Sequence, residues 1–163
     1  MLRGSLVAFR HGAMIVVKAF AIWLAILACA VANGALREAV LVPRFGLHAS
    51  LVASGLLLCA CIVALAFTLV PRIGASGVRA RAGIGVLWLA LTLAFEFGFG
   101  RFVEHRSWES LLEAYRFKDG NLWPLVLVVT LLAPMLAPRG GAARSGSRLF
   151  GLTDRRAQRS ARE

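Results

Sequence analysis

One acidic residue, Glu96, stands inside a long apolar run, in the stretch Ala94-Phe95-Glu96-Phe97-Gly98-Phe99-Gly100-Arg101. A carboxylate in such surroundings does one of two things: it serves as a proton or cation site, or it is satisfied structurally by an ion pair or hydrogen bonds. A proton relay needs companions. No second acid, histidine or lysine accompanies Glu96 in its run, so the structural role is the expected one. Arg101 is the nearest cation in sequence, but five residues along a helix is about 140° around it. Unless the Gly98 to Gly100 segment unwinds, the two point to different faces. The expected partners are therefore Arg37, Arg44 or His48, which lie in the other connection on the same side of the chain's predicted topology. Glu96 would then tether two connections together.

The remaining candidates for chemistry are weak. His48 and His105 fall on one predicted side and could be imagined on a metal or haem, but their spacing matches no ligand pattern. Ser107 or Ser110 with His105 and Glu109 can be assembled into a hydrolase triad on paper; no nucleophile-elbow motif supports it, and helix capping explains the serines. Cys29, Cys59 and Cys61 all lie in apolar runs, where cysteine behaves as a small hydrophobe. Two residues apart on a helix, Cys59 and Cys61 face roughly 200° from each other and share neither a metal nor a disulfide. No catalytic, cofactor or metal site is expected.

The elements that must position Glu96 are read from the apolar pattern. Of 163 residues 59% are hydrophobic, and the mean hydropathy is +0.74, too apolar for a soluble domain of this size. Four blocks lack Lys, Arg and His: 19–36, 49–71, 82–100 and 120–138. Each approaches the roughly 20 residues a helix needs to cross a bilayer. They are apolar all round, without the two-residue alternation of barrel strands, so helices are expected. The fold class is all-α: an integral-membrane, antiparallel four-helix bundle with spans about 13–36, 49–71, 82–100 and 122–138. Residues 1–138 form the domain, and 139–163 a basic disordered tail.

Taken in order, residues 1–18 are basic, and Ala30-Val31-Ala32 resembles a cleavage signal; the apolar stretch is long for a signal peptide, which favours an uncleaved span. Between Arg37 and His48, Pro43 and Gly46 should prevent a continuous helix and leave a short surface element. Pro71-Arg72-Ile73-Gly74 stops the second span, and residues 74–81 form a return along the membrane surface. Gly83 and Gly85 should allow close helix approach. Apolar Trp108, Leu111, Leu112 and Tyr115 follow the spacing of one helical face, which predicts an amphipathic helix over 107–116. Trp108 and Tyr115 would anchor it at the interface, with Ser107 or Ser110 as cap and Ser110 and Glu113 as capping box. Pro134 should kink the fourth span.

The formal charge of +11 is read by location. With both termini inside, 13 of 19 basic residues fall on the cytoplasmic side, the positive-inside bias of a multi-pass protein in a bacterial cytoplasmic membrane. The basic tail suits anionic lipid, and no nucleic-acid motif accompanies it. These features imply a non-enzymatic accessory or structural subunit working by helix packing, alone as a homo-oligomer or in a larger membrane complex. Its platform would comprise Glu96, Arg101, Trp108 and Tyr115, with Arg37, Arg44 and His48 as partners. The alternative is a small transporter or channel using Glu96; a membrane-bound redox or metal enzyme ranks third.

Overall fold

A computed structural model describes residues 2–75, 77–113, 115, 116 and 120–138, with the backbone alone at 2–9 and at 11. The predicted tail lies outside the described residues. Most of those described are helical, with no strand among them. Helix α1 spans Leu2–Leu36 and passes through a π-helical turn, Arg37–Leu41, into α2, Val42–Leu69. A 3₁₀ turn, Val70–Arg72, ends α2. Helix α3 spans Val78–Phe102, α4 Trp108–Glu113 and α5 Trp123–Leu136.

Two helical stretches are long and apolar enough to cross a membrane: Gly12–Arg72, of 61 residues, and Val78–Phe102, of 25. Trp123–Leu136 is also apolar but has 14 residues, about 21 Å of helix at 1.5 Å per residue. The longer stretch doubles back. Gly46 leaves helical geometry with φ 75° and ψ 171°, a conformation that suits glycine. Asn33 Nδ2 consequently reaches the carbonyl of Ser54 at 3.1 Å, whereas 21 residues of straight helix would hold them about 30 Å apart. The connection expected as a short surface element is thus helical on both sides of one glycine. Pro43 sits in the first turn of α2, where its missing N–H costs nothing.

Two tryptophans set α1 against α3. Trp23 Nε1 donates to Thr92 Oγ1 at 3.1 Å, and the fully buried Trp88 donates to the carbonyl of Ala19 at 2.8 Å. Each donor lies four residues from its helix's acceptor, so α1 and α3 run parallel. Helix α5 runs antiparallel to α3, with Leu131 opposite Gly85 and Ala137 opposite Arg81. The contact at Gly85 is backbone to backbone: an added Cβ would collide with the Leu131 carbonyl. Nothing lies within 4 Å of one at Gly83, so only Gly85 serves the close approach expected of both.

Arg81 departs from its expected place in a surface turn. Residues 78–81 are the first turn of α3, and Arg81 is 6% exposed. Its guanidinium donates to the carbonyl of Ala137, to that of Pro138 at 3.1 Å, and to that of Ala75 at 3.4 Å. A cation at the carbonyl end of α5 satisfies groups that have no intrahelical partner.

The helices bury narrow faces. On α2 these are Ser50, Ser54, Leu58, Ile62 and Ala66, every fourth residue. The two serine hydroxyls donate to the carbonyls of Gly46 and Leu51 in their own helix, so their burial leaves no donor unmet. Elsewhere apolar side chains stand uncovered, among them Val17, Phe20, Leu24, Leu56, Val86 and Val128. Only 22% and 17% of the most apolar windows of the two long stretches are buried within the protein.

Gly85→Ala is expected to lower the unfolding midpoint in detergent by the equivalent of about 1–3 kcal/mol, because backbone cannot yield as a side chain does. Gly83→Ala should be neutral or slightly stabilising. Equal effects at the two positions would contradict the α3–α5 contact.

Candidate functional site: the Glu96 clamp and its cavity

The Glu96 carboxylate is held by two rings from two elements. Its Oε2 accepts from Tyr115 Oη at 2.7 Å and from Trp123 Nε1 at 2.8 Å. Tyr115 follows α4, and Trp123 opens α5, where Asn121 Oδ1 accepts from its backbone N–H at 3.0 Å. The neighbouring residue reinforces the clamp. Phe97 stacks on Tyr115 with centroids 5.6 Å apart and planes at 9°, and lies 6.1 Å from Trp108.

This corrects the expected partnership. The hydrogen bonds on Glu96 come from neutral ring donors, and the cation whose field reaches it is Arg106, rather than Arg37, Arg44 or Arg101. Arg37 pairs with its neighbour Glu38 at 3.1 Å. Arg44 is exposed. His48 brings its backbone carbonyl close to Gly120, whose φ of 82° is a left-handed conformation. Helix α3 does not unwind at Gly98 or Gly100, so Arg101 points elsewhere and donates to the carbonyl of Arg106 at 3.3 Å.

The expected helix over 107–116 shortens to six residues. Ser107 is its cap, with Oγ accepting from the N–H of Ser110 at 3.2 Å; Ser110 lies inside the helix and is not its N-cap. His105, with φ 54°, supplies the left-handed residue at the end of α3, and the N–H of Arg106 donates to the carbonyl of Gly100 at 2.9 Å. Of the predicted apolar stripe only Leu111 is fully buried, seated against Gly100, where an added Cβ would lie 2.5 Å from Leu111 Cδ2. Trp108 and Leu112 remain more than half exposed.

Glu96 also lines a cavity of about 720 Å³, together with Trp23, Asn33, Thr92 and Phe99. The Asn33 amide nitrogen is committed to the Ser54 carbonyl, and Asn33 Oδ1 is buried without a donor among the described residues. No group of three or more His, Cys, Asp or Glu side chains suited to a metal occurs among the described residues.

Trp123, Phe97 and Asn33 were not among the residues singled out from sequence. Trp123 had a usable signal. Gly120, with φ 82°, and Asn121 immediately precede α5, and the start of that helix lies beside Glu96.

The fold and site define a class, an apolar all-helical protein with a ring-clamped carboxylate beside an open cavity. No family model, curated protein or solved structure matches the chain.

Tyr115 gives the clamp a pH signature. Burial, then the hydrogen bond it donates to Glu96 and that carboxylate's charge, push its phenol above the ordinary value near 10. The folded-state value is the raised one, so this contribution to stability is complete below about pH 10 and is lost as pH rises through the folded-state value. It is the chain's sole tyrosine, so tyrosinate absorbance reports it alone. The titration midpoint is expected above 10 in the wild type and nearer 10 in Glu96→Gln; equal midpoints would contradict the bond.

Proposed function

We propose that the chain is a small multi-pass protein of a bacterial cytoplasmic membrane, with four spans in an antiparallel bundle and both termini inside. It acts as a non-enzymatic accessory or structural subunit, packing against its own copies or within a larger membrane complex. The long uncovered apolar faces suit lipid or partner helices, and the excess of basic residues on one side suits the positive-inside rule. The doubled-back stretch provides two spans, and α5 crosses with its apolar flanks or where the bilayer thins. Anionic lipid is the partner of the basic residues beyond 138, and nucleic acid is not.

The observation that carries this reading is the clamp. Glu96 spends one oxygen on holding the α4 segment and the head of α5 to the end of α3, which is structural work. A bond to a charged acceptor contributes about 1.5–3 kcal/mol when both groups are sheltered. Glu96→Ala is therefore expected to lower the unfolding midpoint and to loosen self-association or release a co-purifying partner in gentle detergent. Glu96→Gln, which retains an acceptor oxygen, should lose less. Stability and assembly unchanged in Glu96→Ala would sink the reading.

The cavity favours one second reading, a small transporter or channel with Glu96 as proton or cation site. It requires a pH-dependent flux in liposomes that Glu96→Gln abolishes.

A further inference from the structure

The charges on the cavity wall do not balance. Two arginines line it, and both are already paired: Arg37 with Glu38 at 3.1 Å and Arg106 with Glu104 at 3.6 Å. Two other carboxylates line it, Glu96 and Glu113, and neither has a cation within ion-pair distance among the described residues. Oxygen Oε2 of Glu96 is taken by Tyr115 and Trp123, while Oε1 accepts no hydrogen bond from the described residues. Asn33 adds a further acceptor, Oδ1, unmet among the described residues; the amide is oriented this way because the reverse would set its oxygen against the Ser54 carbonyl oxygen. The one buried polar side-chain atom left unmet among the described residues is thus an acceptor on this wall, and the charged side chains of the wall that stand outside ion pairs are carboxylates.

The rest of the wall is apolar and aromatic, with Trp23, Phe95, Phe99 and Trp123 among its rings. Ring faces attract cations, and mostly apolar walls with a few convergent polar groups mark small-molecule sites. A volume of about 720 Å³ falls within the roughly 300–1,000 Å³ typical of such sites. We propose that this cavity binds an organic ammonium ion with an apolar body, its N–H groups directed to Glu96 Oε1 and its charge offset by Glu96 and Glu113. The proposal goes beyond the packing role, since the clamp uses only one of the two Glu96 oxygens.

The test is calorimetric titration of the full-length protein in detergent, with protein-free micelles as blank, using 4-phenylbutylammonium, 4-phenylbutanol and 4-phenylbutyrate. These share an apolar body and differ in the head group. The ammonium ion is expected to bind at least tenfold tighter than the alcohol, and the carboxylate weakest. Glu96→Gln and, separately, the exposed-site change Glu113→Gln should weaken the ammonium ion several-fold and leave the alcohol unchanged. Equal binding of all three, tighter binding of the carboxylate, or binding of none by the wild type would overturn the proposal. Competition with dioctanoylphosphatidylethanolamine separates the sources: displacement assigns the natural ammonium group to a lipid head group, and its failure assigns a free amine.

Discussion

A carboxylate that accepts two ring donors on one oxygen fixes the end of this molecule where α3 stops and α5 begins. Removing a charged acceptor from water is costly unless donors replace the water. Tyr115 and Trp123 supply them from segments 19 and 27 residues further along the chain. Both donors are amphipathic rings, so the same residues that satisfy the acceptor also fill apolar space against Phe97. Neutral donors leave the charge in place. That separates this arrangement from a closed ion pair.

The other end is held by the opposite device. There Arg81 brings a buried cation to the carbonyl end of α5 and meets groups that the helix leaves unsatisfied. Between the two polar ties, α3 and α5 approach until backbone meets side-chain-free backbone at Gly85. Apolar helices gain little from hiding apolar surface if lipid surrounds them, so association falls to close packing and to scattered polar bonds. The paired tryptophan bonds between α1 and α3, and the Asn33 bond between α1 and α2, are of this kind.

Much of this was legible from residue types. Helices, their approximate limits, the break near Gly46 and the close approach at Gly85 all follow from apolar runs and glycine placement. The partners of Glu96 were not legible, because charge complementarity suggested arginine while packing supplied tyrosine and tryptophan. Periodicity also overstated α4. A stripe at Trp108, Leu111, Leu112 and Tyr115 satisfies a helical template, yet the chain must leave the helix after Glu113 for Tyr115 to turn toward Glu96. Arg81 was misplaced for a related reason: composition reads a basic residue near a turn as solvated, and only the position of Ala137 and Pro138 shows what it caps.

The central claim is that the Trp123 indole N–H is bonded to the Glu96 carboxylate, and indole proton NMR on the selectively labelled full-length protein tests it most directly. The account requires a Trp123 indole resonance shifted downfield and slow to exchange, which moves upfield and exchanges freely in Glu96→Ala and changes only modestly in Tyr115→Phe. A Trp123 indole proton whose shift and exchange are the same with and without the Glu96 side chain would contradict it.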